Sequence, residues 1–115
     1  MTRNTILYLR DILDNMKLAE EFVRCVTPEK FSGDRKTAYA VLRCLEVIGE
    51  AAKNVPASVR ERHAAIPWKD MAGMRDRVIH FYFGVSYDKV WWTVKEDIPA
   101  IRPLVEQALR EMGAG

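Results

Sequence analysis

Apolar residues recur along this chain at helical spacing in long blocks, and the blocks are cut by proline. Between positions 5 and 26, Ile6, Leu9, Leu13, Met16 and Val23 fall near one stripe, widened by Ile12, Phe22 and Val26. Arg10, Asp11, Lys17, Glu20 and Glu21 lie mostly outside it. That pattern predicts a first helix stopped by Thr27-Pro28. Residues 29–33 read as a connection. Asp34 is placed to cap a second helix, in which Ala38, Val41, Leu42, Leu45, Ile48 and Ala52 keep the helical period up to Val55 and Pro56. Residues 57–63 predict one or two short turns. Pro67 then stands at the start of a third helix, where its missing N–H does no harm, Gly84 is placed to end that helix, and Ser86 to cap a fourth containing Val90, Trp91 and Val94. Pro99 is expected to break or kink the fourth helix. From about Asp97 a last helix runs to Met112 with Ile101, Leu104, Val105, Ala108 and Leu109 inward, Pro103 being tolerated near its start. Residues 113–115 are expected to be loose. No strand-like alternation, hairpin signal or internal repeat competes with this pattern. The fold class is therefore all-α, an antiparallel bundle of four or five helices in one domain covering 1–115.

Composition agrees with one packed core. A chain of 115 residues, 49% apolar and 30% charged, is large enough to bury roughly 65% of its unfolded surface without a disulfide or structural metal. Every apolar run is broken by charge well short of the roughly 18 residues a membrane span needs. The first residues turn charged at Arg10 and Asp11 too early for a signal peptide, so the expected location is cytoplasmic, away from membranes. Cys25 and Cys44 sit among apolar neighbours with no CxxC spacing, and the expectation is two buried free thiols; a redox pair would need them to face each other. The net charge is only +2, yet residues 57–85 carry Arg60, Arg62, Lys69, Arg75 and Arg77 against Glu61, Asp70 and Asp76. That window holds the whole excess.

The same window concentrates Arg75, His80 and Tyr82 on the third helix. An arginine fork grips phosphate oxygens, a histidine moves protons at neutral pH, and a tyrosine hydroxyl donates, accepts or is modified. Placing residues 71–82 at 100° per residue puts Met71, Met74, Val78 and Phe81 on one stripe, Tyr82 and Arg75 on its flank, and His80, Asp76 and Gly73 opposite. His80 thus points away from the core. Asp76, four residues earlier, can accept from the imidazole and orient it, or form only a weak surface pair. Gly73 in the same row favours a close approach by another backbone or a ligand. Arg75 and His80 diverge by about 140°, so one copy converges poorly on a single phosphate. A two-fold dimer removes the difficulty: two Arg75 and two His80 would line one cleft, one imidazole acting as base and the other as acid. The spacing offers no metal cluster, and the chemistry this arrangement suits is metal-independent RNA cleavage. An imidazole activates the 2′-hydroxyl while Arg75 stabilises the crowded phosphate. Tyr82 reaches the same cleft or serves as a partly buried aromatic with a wet tip. Arg77 reads as a surface cation available to RNA.

With these residues in place, Arg75-x4-His80-x-Tyr82 resembles the RX4HXY motif of the HepT-like branch of the HEPN superfamily. The similarity extends to Val47-Ile48-Gly49-Glu50-Ala51, Ile66-Pro67-Trp68, Gly73-Met74-Arg75, Tyr82-Phe83-Gly84 and Trp92-x4-Asp97-Ile98-Pro99, in order and from Thr37 onward. The resemblance implies a homodimeric HEPN-like helical domain with a ribonuclease site at the dimer cleft. It implies a toxin paired with an MntA-type minimal nucleotidyltransferase antitoxin. The antitoxin would transfer AMP from ATP onto Tyr82, placing bulk and negative charge where RNA phosphate must enter; no other cofactor is implied. Asp76 stands where the family most often has Asn, and its charge competes with phosphate for Arg75 unless His80 occupies it. Two rival readings are a non-catalytic helical subunit that regulates a nucleotidyltransferase and a plain RNA-binding module, which would bind in a salt-dependent way without cutting. Elsewhere, Glu46 and Glu50 share a face with Arg43 and Lys53, and ion pairing on a solvated surface or at the subunit contact explains all four better than a metal site. His63 is expected to be exposed, and of the adjacent Trp91 and Trp92 one should face the core.

Overall fold

A computed structural model of the chain describes residues 3–82, 84 and 86–113. The helices are α1 (Arg3–Val23), α2 (Pro28–Ser32), α3 (Arg35–Asn54), α4 (Ala57–Arg62), α5 (Trp68–Tyr82), α6 (Tyr87–Trp92) and α7 (Ile98–Glu111), with a π-helical turn, Thr93–Asp97, joining the last two. Among the described residues there is no strand, and no helix is long and apolar enough to cross a membrane. The four long helices match the first, second, third and last of the expected helices, and α6 is the short fourth. The chain is all-α, and the short turns raise the number of helical segments above the four or five expected.

The bundle is ordered α5, α3, α1, α7, each packed on the next. Leu9, Ile12 and Met16 of α1, Val41, Leu45 and Ile48 of α3, Met71 and Met74 of α5, and Ile98 and Val105 of α7 are buried together. Aliphatic burial of this kind contributes about 1.5–3 kcal/mol per large side chain. Arg102 of α7 joins the bundle to α1 through Glu20 at 3.0 Å and also holds Glu106 at 2.9 Å, and these bonds raise its pKa further. Asp34 caps α3 as expected: Thr37 donates to it through hydroxyl and backbone N–H, which holds the Asp34 carboxyl below the usual carboxylate range. Gly84, at φ 102°, follows the end of α5 in a conformation that suits glycine.

Local details depart from the sequence reading. Residues 28–32 form a helical turn capped by Thr27 rather than a plain connection, because Phe31 buries its ring completely and meets Tyr87 edge-on. α1 ends at Val23, before the expected position 26, and Cys25 takes φ 62° at the corner that follows. Its side chain is exposed, so the expectation of two buried thiols holds for Cys44 alone, whose thiol burial pushes up to about 11. Phe22 and Leu104 face solvent, the buried stripes centring instead on Ile12 and Val105. His63 is not exposed; its ring tucks in beside the Glu111 carboxylate at 3.5 Å. Pro99 neither breaks nor ends the helical path. Its ring would strike the carbonyl one turn back, and the π turn ahead of it widens the coil, with the Ile98 N–H reaching Thr93 O, so α6 and α7 stay continuous. Gly113 lies in a turn, whereas Ala114, Gly115 and the motif neighbour Phe83 fall outside the described residues.

The α3–α5 contact is the tightest constraint on the site. A Cβ built on Gly49 would lie 2.7 Å from Arg75 Cβ and 2.8 Å from Arg75 N, so only glycine allows this approach. A Cβ on Gly73 would meet nothing within 4 Å, so among the described residues the close neighbour expected there is not found. For Gly49→Ala, over-packing costs about 1–3 kcal/mol and the better helix propensity of Ala returns about 1. Urea unfolding is expected to show a net loss of up to about 2 kcal/mol; a gain of the roughly 1 kcal/mol that helix propensity alone supplies would mean that the two helices do not meet here.

Candidate active site

α5 carries the motif, and its burial pattern fixes where each side chain goes. Met71, Met74 and Val78 are buried, with Phe81 partly so, which turns Arg75 and Tyr82 toward one flank and Asp76 and His80 outward. α3 runs antiparallel beside the first flank: Gly49 lies against Arg75, and Tyr39 against Tyr82 with their rings edge-on at 6.0 Å.

Arg75 is held by Glu50. Its Nε lies 2.6 Å from Glu50 Oε1 in an ion pair, and both side chains are nearly half exposed. Because the carboxylate sits nearest the Nε edge, the terminal Nη groups remain a fork that suits two phosphate oxygens. Tyr82 closes the last turn of the helix with its side chain 61% exposed, leaning on Tyr39 and Phe81, so its hydroxyl is open to a second molecule.

His80 opens onto a different hollow, of about 620 Å³, which it shares with Arg77, Trp92, Thr93 and Asp97. Arg75 borders a separate hollow of about 380 Å³ between α1, α3 and α5. One subunit therefore does not bring Arg75 and His80 together, as the helical angle between them requires. Among the described residues no hydrogen bond or ion pair joins Asp76 to His80, so the orienting contact expected between them is not formed within the subunit. Both side chains are exposed.

Arg77 is not the free surface cation its sequence position suggests. Its Nη1 donates to Thr93 Oγ1 and to Asp97 Oδ2 at 3.0 Å, and the Thr93 hydroxyl in turn donates to Lys89 O at 2.8 Å. This chain ties α5 to the π turn and forms one wall of the His80 hollow. The other wall is Trp92, which is half exposed and meets Trp91 edge-on, while Trp91 faces inward and donates its indole N–H to Val26 O at 2.7 Å.

Two partners were not readable from local spacing. Spacing groups Glu50 with the cations of its own helix, and Asp97 is 20 residues from Arg77; only the tertiary packing brings either one to its arginine. The glycine directly before Glu50 is the available signal, since a small residue inside a helix marks where a second helix comes close. The pairing of Glu46 with Arg43, at 2.6 Å, is as expected. Among the described residues no group of three or more His, Cys, Asp or Glu side chains converges as a metal site.

Comparison with known proteins adds an independent line. The family model described as ribonuclease HepT-like matches residues 12–108. A protein of Thermococcus cleftensis named probable ribonuclease HepT is 49% identical over 107 residues, covering 93% of this chain and 97% of its own. MJ0125 of Methanocaldococcus jannaschii, named as a candidate RNase, is 44% identical over 110 residues, 96% of this chain and 95% of its own. TTE0752 of Caldanaerobacter subterraneus, also named as a candidate RNase, is 42% identical over 104 residues, 90% of this chain and 93% of its own. No solved structure matches. The match runs through α3, α5, the π turn and most of α7, and on that extent of similarity the chain belongs to the HepT-like ribonuclease family.

Proposed function

We propose that this protein is a metal-independent RNA endonuclease that acts as a homodimer, the toxin of a HepT/MntA-type pair whose nucleotidyltransferase partner silences it by transferring AMP to Tyr82. The observation that carries the reading is the disposition of the motif on α5. Arg75 presents an open guanidinium fork on one side and His80 an exposed imidazole on the other, each bordering its own hollow. A second copy related by a two-fold axis, meeting this one at the His80 end of α5, brings an arginine and a histidine to one phosphate.

In that cleft one His80 imidazole takes the proton of the RNA 2′-hydroxyl as its oxygen attacks phosphorus. The other imidazole gives a proton to the departing 5′-oxygen. Arg75 holds the phosphate oxygens while negative charge builds on them. Glu50 is a positioning residue, fixing the guanidinium by its Nε edge. Arg77 lines the His80 side and offers its remaining N–H groups to an RNA phosphate. Asp76 carries an uncompensated charge beside the cleft and competes with phosphate.

The rival reading, a non-catalytic subunit that docks a nucleotidyltransferase through the same face, draws on the ties of Arg75 to Glu50 and Arg77 to Asp97 within the subunit. Strand scission separates the two.

Purified dimer is expected to cut single-stranded RNA in the presence of a chelator. His80→Ala is expected to lower the rate by about 10²–10⁴-fold, the range for loss of a general acid or base, with helical circular dichroism and dimer mass kept. In the same assay Glu50→Gln is expected to lower kcat by roughly tenfold through misplacement of Arg75. Its stability is expected to stay within about 1 kcal/mol, as suits a half-exposed pair. Asp76→Asn is expected to raise kcat/KM by about fivefold, the worth of roughly 1 kcal/mol of repulsion. Full activity in His80→Ala would remove that residue from the mechanism.

The silencing step has its own readout. Incubation with the cognate nucleotidyltransferase and ATP is expected to add AMP to the peptide holding Tyr82 and to abolish cleavage. Tyr82→Phe should take up no label there, and an unmodified Tyr82 peptide in the parent would exclude this control.

A further inference from the structure

The α5 face that carries His80 continues toward the start of the helix through Asp76 and Gly73 to Lys69. There it opens onto a third hollow, of about 640 Å³, walled by the end of α3 and by α4. Three elements each send one cation into it: Lys53 from α3, Arg60 from α4 and Lys69 from α5. Trp68 lines the same hollow, its ring fixed by an indole N–H bond to His63 O at 3.1 Å. Glu61 is the one carboxylate among the residues that line it.

All three cations are exposed, and among the described residues none of them has an ion-pair partner. Arg43, Arg75, Arg77 and Arg102 are paired within the chain. Positive charge drawn from three elements onto one concave surface, against the single carboxylate of Glu61, is an arrangement that attracts a polyanion. Lys69 precedes His80 by eleven residues on the same helix face, about 16 Å along the axis. That distance is the length of roughly five stacked nucleotides at about 3.4 Å each.

We propose that the hollow of Lys53, Arg60 and Lys69 binds backbone phosphates of the RNA strand several nucleotides from the bond cut at His80. The inference rests on the ribonuclease reading and extends it from the cleft to the track that leads there. Contacts of this kind hold phosphates without reading bases, so the site raises affinity for longer strands irrespective of their sequence. An acidic segment of a protein partner is the competing occupant. RNA is favoured because the hollow and His80 lie on one continuous helix face.

The test uses the full chain with His80→Ala, so that bound RNA is not cut, and a labelled single-stranded RNA of roughly twelve nucleotides. Replacing Lys53, Arg60 and Lys69 together by Gln is expected to reduce the slope of log K against log salt by about two, three contacts at roughly 0.7 each. Lys53→Arg with Lys69→Arg should keep the slope, which separates charge from damage to the fold. An unchanged slope for this strand overturns the proposal. Loss of nucleotidyltransferase binding with the RNA slope intact overturns it in favour of the protein partner. Cleavage by the unsubstituted chain is scored separately: a protein that shows the three-charge slope yet cuts nothing fails the nuclease reading alone.

Discussion

At Gly49 the backbone of α3 comes so near α5 that an added methyl would fall within 3 Å of Arg75. That approach sets the geometry of the whole motif face. With the two helices pressed together there, Glu50, the next residue on α3, is within reach of the Arg75 guanidinium, and ten residues earlier Tyr39 is beside Tyr82. A helix is stiff, so fixing its near flank against α3 also fixes which way its far side looks. His80 is thereby turned outward and kept there. One tight crossing thus sets the arginine, the tyrosine and the histidine at once, and it does so with a residue that has no side chain.

Charge pairing on this face follows a division of labour. Glu50 takes the Nε edge of Arg75 and leaves the fork open, an arrangement that orders a long flexible side chain before any ligand arrives. Arg77 is engaged from the other direction, by Thr93 and Asp97 on the π turn, and so holds α5 to the segment that closes the His80 hollow. Two arginines only two residues apart therefore have different tasks, one presenting a group and the other bracing a wall.

How much of this is legible in the sequence depends on how local the cause is. The long helices are, because Ala38, Val41, Leu42, Leu45 and Ile48 keep one period over many turns and every one of them is buried. The angle between Arg75 and His80 is legible too, being a property of any helix. Phe31 escapes because a five-residue turn is too short to show a period, and its burial is decided by Tyr87 far along the chain. Pro99 misleads because the rule for proline is stated for an α-helix, whereas the chain absorbs it in a π turn. His63 misleads for the opposite reason: a basic neighbourhood suggests solvent, and the Glu111 carboxylate that receives it is contributed by the last helix. Glu50 and Asp97 belong with these cases, as partners chosen by packing between helices rather than by spacing within one.

The bond from the Trp91 indole to Val26 O links two regions that no helix joins directly. Val26 sits at the corner after α1, which turns on the left-handed Cys25, while the next residue along from Trp91 is the exposed wall beside His80. The corner is thus tied to the side of the molecule that carries His80. Bulk or strain introduced around Cys25 has a mechanical route, through a single indole, to the width of the opening in which His80 stands.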